Sequence, residues 1–156
     1  MTDADFMRLA IESARAALDS GQSPFGAVIA RDGQVLAASH NEVWEQVDPT
    51  AHAEVTAIRL ACKKLGKVKL DGCTIYSTTE PCPMCFSAIH WACLGQVIFG
   101  TFIADVAKRG FNELFIPSRK MKREGKSPVR IKSGFMKKEC LELLKAWDKQ
   151  DNKKTY

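Results

Sequence analysis

Two short strings constrain this chain more than anything else in it: His52-Ala53-Glu54, and Pro81-Cys82-Pro83-Met84-Cys85 about thirty residues later. Their side chains make chemical sense only if the fold brings them together. One imidazole and two thiolates suit a zinc ion, and three protein donors leave its fourth position open. A closed zinc site stabilises a fold, whereas an open one beside a base activates water at neutral pH. Glu54 is placed to be that base, two residues after the imidazole; as an ordinary carboxylate it would simply favour a first helical turn.

The spacing predicts how these groups are presented. Cys82 and Cys85 lie three apart, so a first helical turn sets both sulfurs on one side. A helix N-terminus favours thiolate over thiol. Pro81 fits a helix entry, and Pro83 is tolerated in the same first turn. His52 falls at the start of the preceding helix. Two neighbouring parallel strands feeding these helices would bring the helix N-termini face to face. A fourth protein ligand would close the site, and the candidates are Cys62, Cys73, Cys93, His40 and His90. None has a ligand-like spacing to the first three. Cys62 lies about 15 Å along the His52 helix, and the order of ligands is not that of a zinc finger. The remaining cysteines read as small buried apolar residues.

Around these motifs, helix and strand patterns alternate. A helix is expected from Asp3 to Leu18, with Phe6, Leu9, Ala10, Ala14, Ala17 and Leu18 on one face and Gly21 as its stop. Two strand-like runs, Phe25 to Ala30 and Gln34 to His40, are joined through Asp32-Gly33, a strong hairpin signal. A helix from Ala51 to Leu65 is closed by Gly66. Cys73 to Thr78 is a strand, Pro81 to Cys93 a helix, Gln96 to Phe102 a strand and Ile103 to Arg109 a short helix. Phe111 to Lys126 reads as irregular and basic, Pro128 to Lys132 as a fifth strand and Phe135 to Trp147 as the last helix. A hairpin followed by strand–helix alternation implies an α/β fold with a mixed sheet between helices. The 156 residues are expected to form one domain.

Composition excludes several classes. The chain is 46% hydrophobic and 26% charged, as in ordinary globular proteins. No run is long enough to span a bilayer. The acidic N-terminus has no apolar run behind it, which argues against a secretory signal and for a reducing cytoplasm, where cysteines bind metal or pack in cores. The net charge of +5 is uneven: Arg119 to Lys138 holds nine Lys or Arg against Glu124 alone, +8 in that window and −3 elsewhere. That window is either a solvated face or a nucleic-acid site.

The His-x-Glu and Pro-Cys-x-x-Cys motifs together resemble the cytidine deaminase superfamily of zinc aminohydrolases, and the likeness runs from the first helix to the last. The resemblance implies a three-layer α/β/α fold with a mixed five-stranded sheet. Pro24-Phe25-Gly26-Ala27-Val28-Ile29, Asp48 to Arg59, Glu80 to Cys85, Ala88 to Ala92 and the Asn152-Lys153-Lys154-Thr155-Tyr156 end resemble the bacterial guanine deaminases. That likeness implies zinc on His52, Cys82 and Cys85, with Glu54 moving protons. It further implies that Phe25 and Trp91 line a purine pocket and that Asn41 holds a purine edge. Tyr156 would cap the site from a partner subunit in a homodimer, with a tail from about residue 148 onward. Ala53 N–H is a plausible donor to a developing oxyanion. Guanine deaminases carry two adjacent acids after a Gly-Phe pair, where this chain has Gly110-Phe111-Asn112-Glu113; Glu113 is then either a second proton shuttle or surface charge. The stretch Val129 to Leu144 looks more like bacterial tRNA adenosine deaminases, which keeps a nucleic-acid substrate as the alternative to a free purine. A zinc-stabilised nucleic-acid-binding module is the reading without catalysis.

Overall fold

Helix α1, Asp3–Asp19, begins the chain, and a capping box explains where it starts. The Asp5 carboxylate accepts from Thr2 N–H at 2.8 Å, and the Thr2 hydroxyl accepts from Asp5 N–H at 3.3 Å. Phe6, Met7, Ala10, Ile11, Ala14, Ala17 and Leu18 form its buried stripe. The computed structural model resolves residues 1–156. Strands β1, Gly26–Arg31, and β2, Gln34–His40, pair as an antiparallel hairpin. Asp32 and Gly33 at its turn have φ of 51° and 75°. Both residues are left-handed, the conformation that matches a two-residue turn to strand twist.

The short α2, Val43–Gln46, precedes α3, Ala53–Leu65, which ends on Gly66 at φ 62°. Strand β3, Thr74–Thr79, leads to α4, Pro83–Trp91, and then to β4, Gln96–Thr101. Helices α5, Ile103–Ala107, and α6, Ser118–Glu124, precede β5, Arg130–Lys132, and α7, Lys137–Asp148. Two of these elements depart from expectation. Residues 111–126 are not wholly irregular, because α6 forms within them, and α2 has no counterpart in the sequence reading. Apolar periodicity marks neither: α2 has four residues, and Met121 is the one apolar side chain of α6.

The five strands lie in the order β2-β1-β3-β4-β5. Strand β1 is antiparallel to both neighbours, and β3, β4 and β5 are parallel. Helix α1 packs on β1, β2 and β3, and α7 packs on β4 and α1; α3 packs on β1, β2 and β3 and touches α4. The sheet is therefore covered on both faces, α1 with α7 and α3 with α4, giving the expected three-layer α/β/α architecture. Burial along β1, β3 and β4 is near continuous, as a sheet sandwiched by helices requires.

Gly26 lets α1 lie close on β1. A Cβ there would fall 2.1 Å from the Ala10 carbonyl oxygen and 2.6 Å from the Ala14 nitrogen. No helix is long and apolar enough to cross a membrane.

Candidate active site

The site forms where α3 and α4 begin. Strands β2 and β3 run in the same direction, but β1 lies between them, so the expected pair of neighbouring parallel strands is a pair one strand apart. The helix N-termini still meet. His52 is the N-cap of α3 and Cys82 the N-cap of α4, and neither side chain caps its own helix. Both are left to face the same space.

His52 Nδ1 lies 3.8 Å from Cys82 Sγ and 3.5 Å from Cys85 Sγ. The donor atoms of all three residues fall within 4.8 Å of one another. An imidazole and two sulfurs at this separation fit a tetrahedral zinc with three protein ligands. His52, Cys82 and Cys85 form the one such group of His, Cys, Asp or Glu in the chain; His40, His90, Cys62, Cys73 and Cys93 do not join it. The electrostatics suit a cation. A hydrogen bond from the Cys85 thiol and a second with His52 draw the Cys82 thiol pKa far down, against the cost of burial. The same hydrogen bond, with burial and the Glu54 charge, pushes Cys85 up. Metal binding would therefore release the Cys85 proton.

Glu54, on the first turn of α3, is only 4% exposed. One carboxylate oxygen accepts from Ser77 Oγ at 3.3 Å, and the other lies 3.5 Å from Cys85 Sγ. Its acid stands directly beside the ligand cluster. Burial first, and then the Cys82 thiolate, raise its pKa. Ala53 is wholly buried as the first residue of α3. Its carbonyl accepts from Ser39 Oγ at 2.6 Å, and a first-turn amide has no partner within its helix.

A cavity of about 310 Å³ opens over the cluster, and Phe25, Asn41, His52, Glu54, Glu113 and Tyr156 line it. The Phe25 ring meets Phe111 edge-on at 5.3 Å. Asn41 is fully buried; its side-chain amide donates to the Tyr156 hydroxyl at 2.6 Å, and its oxygen accepts from Val43 N–H at 3.3 Å. Glu113 is half-buried in the wall. Burial leads, and the Cys82 thiolate adds, in pushing its pKa to about 7.

Tyr156 reaches the site of its own chain. Its ring stands edge-on to His52 at 5.4 Å and to Phe111 at 5.7 Å, and its carboxyl-terminal oxygen accepts from Asn112 N–H at 2.9 Å. Lys154 lies over the Trp44 ring at 5.2 Å and Lys153 over the Trp147 ring at 5.9 Å, which tacks the tail down.

Trp91 is the exception among the expected lining residues. It ends α4, is 81% exposed, and borders a separate groove with Asp71, Cys93 and Pro128. The reason is the helix axis: six residues beyond Cys85, Trp91 sits about 9 Å further along. Phe111 provides the aromatic wall instead. Glu80, although part of the quoted motif, was not expected as a site residue. It is 5% exposed, borders the cavity and accepts from two backbone amides, Ser118 N–H at 2.9 Å and Ile103 N–H at 3.2 Å. No local pattern marks it, because its partners lie 38 and 23 residues away.

Comparison with known proteins agrees with this geometry. The family model described as cytidine and deoxycytidylate deaminase zinc-binding region matches residues 1–101. The chain is 40% identical to the guanine deaminase of Bacillus subtilis over 157 aligned positions, covering all of both chains. It is 33% identical to the tRNA-specific adenosine deaminase of the same organism, over 96% of this chain and 90% of the relative. The X-ray structure of guanine deaminase from Bacillus subtilis superposes with a TM-score of 0.70 at 46% identity, covering 72% of this chain and 73% of that one. With its ligand triad, buried acid and sheet order all in place, the chain belongs to the zinc-binding cytidine and deoxycytidylate deaminase family.

Proposed function

We propose that this deaminase hydrolyses a free purine base, guanine, to xanthine and ammonia. One observation carries the choice of a free base: Tyr156 hangs over the cavity, with its hydroxyl on Asn41 and its ring against His52. What remains is about 310 Å³, at the small end of ligand pockets. Phe25 and Phe111 offer flat apolar walls for an aromatic base, and Asn41 offers an amide to its polar edge.

His52, Cys82 and Cys85 would hold zinc. When bound, zinc supplies Lewis acidity that makes water a nucleophile near neutral pH. The chain's own acids then manage protons. Glu54 takes a proton from the attacking water and returns it to the ring nitrogen beside C2. Glu54 or Glu113 then takes the proton of the new hydroxyl on C2 and delivers it to the amino group, and the C2–N bond breaks to release ammonia, so that guanine and water give xanthine and ammonia. Ala53 N–H serves as a fixed donor to the developing oxyanion.

We read residues 1–156 as one domain and place it in the cytoplasm, in keeping with six free cysteines. A homodimer in which the tail from about residue 148 reaches the partner's site fits the likeness to guanine deaminases. The tail meets its own body largely through the contacts of its last residues, and the same contacts could be made by a second copy.

The alternative substrate, adenosine in tRNA, is favoured by the tRNA deaminase relative and by the basic window. Within that window Lys132 pairs with Asp3 at 2.9 Å, Lys137 pairs with Asp105 at 3.2 Å, and Lys122 donates to the Ser127 and Val129 carbonyls. These cations are already partnered. Ammonia release across guanine, guanosine, cytosine, adenine and a tRNA anticodon stem-loop tests the assignment. Guanine is expected to be turned over fastest, with little response to salt. Turnover of the stem-loop alone would reverse the assignment, and its binding would weaken with salt at a log–log slope near −0.7 per phosphate contacted.

A further inference from the structure

Glu80 stands immediately before the Pro81-Cys82 turn, yet it takes no part in the ligand cluster. Both oxygens of its side chain are used elsewhere. One accepts from the amide that opens α6, Ser118 N–H at 2.9 Å, and the other from the amide that opens α5, Ile103 N–H at 3.2 Å. Ser118, fully buried, returns a bond: its hydroxyl donates to the Pro81 carbonyl at 3.0 Å. Glu80 N–H in turn donates to the Thr101 carbonyl at 2.8 Å. A single buried carboxylate thus joins the thiol-bearing turn to both ends of the segment 103–118.

That segment carries much of the cavity wall. Phe111 meets Phe25, Trp147 and Tyr156; Asn112 N–H holds the chain terminus; Glu113 faces the cavity. Between α5 and α6 it has no regular structure of its own. Its path therefore depends on how its ends are held, and two backbone amides bonded to one buried side chain hold them. Tying the two ends to one point also removes much of the freedom of the intervening loop.

We propose that Glu80 is a positioning residue for the deamination: it clamps the ends of segment 103–118 so that Glu113 and the Asn112–Tyr156 contact stay registered on the ligand cluster. This rests on the reading of the site as a purine deaminase in which Glu113 moves a proton. Glu80→Gln keeps the size of the side chain but sets an amide NH₂ against a backbone N–H, so one clamp bond is lost. Small displacements of a reacting group cost about 10²-fold in rate.

The test is a double-mutant cycle with exchange and metal readouts. Glu80→Gln is expected to lower kcat on guanine about 10²-fold, with zinc content close to the parent's and a melting temperature lowered by the unpaired buried amide yet still above that of the assay. Amide hydrogen exchange should quicken in 103–118 and stay unchanged in α3. In a Glu113→Gln background, adding Glu80→Gln should lower kcat little further, because the displaced group has already been removed. Losses that multiply, or exchange in 103–118 that matches the parent's, would overturn the proposal. Loss of zinc would also overturn it, by placing Glu80 in support of the ligands instead. Should the parent release no ammonia from guanine, the purine reading fails by itself, and the exchange comparison still decides whether Glu80 holds the segment.

Discussion

At the scale of single residues, what decides the chemistry is the number of protein donors around the cation. Three converge, and the other histidines and cysteines stay away. These three positions were legible in the sequence because ligand chemistry restricts residue type and a first helical turn restricts spacing. Phe25, Asn41 and Tyr156 line the cavity, Tyr156 from its own chain rather than from the partner subunit that the family likeness implies. Trp91 does not, because the distance run along a helix decides which side chains stay near its start. Glu80 stayed hidden because a buried carboxylate acquires meaning only from amides distant in sequence. Cys82→Ala should abolish zinc binding and activity together, since two donors left in a site built for three hold zinc poorly. Metal analysis by mass spectrometry checks this, and an unchanged zinc content would exclude Cys82 as a ligand.

At the scale of elements, the hairpin and the helices with an apolar stripe were legible, because turn chemistry and periodicity are local signals. Asp32-Gly33 made its turn, and α1 begins on its capping box. Helix α6, Ser-Arg-Lys-Met-Lys-Arg-Glu, has no apolar face to read. It forms because tertiary groups receive it: Glu80 takes its first amide, and Ser118 packs without exposure. The β1–α1 contact makes its own prediction. At Gly26 an added methyl meets helix backbone, which cannot turn aside as a side chain can. Gly26→Ala should destabilise the fold by about 1–3 kcal/mol, the usual cost of overpacking. A urea denaturation midpoint equal to the parent's would show that α1 can retreat at no cost.

At the scale of the whole molecule, one face of the sheet and the helix ends above it build the site, and the far end of the chain returns to cover it. Sequence likeness to the Bacillus subtilis guanine deaminase runs the full length. Whether the tail serves its own site or a partner's is settled by mixing. A Glu54→Gln chain with an intact tail and a chain lacking residues 148–156 should each be nearly inactive. If tails are exchanged in a dimer, mixing should recover a fraction of the parent's activity, and no recovery would assign the tail to its own chain. The central claim is that Glu54 moves protons beside a metal held by three residues. Ammonia release from guanine by zinc-loaded Glu54→Gln tests it most directly. The account predicts full zinc content with turnover lowered by roughly 10²–10⁴-fold, the scale of acid–base catalysis; zinc-loaded protein turning over at close to the parent's rate would contradict it.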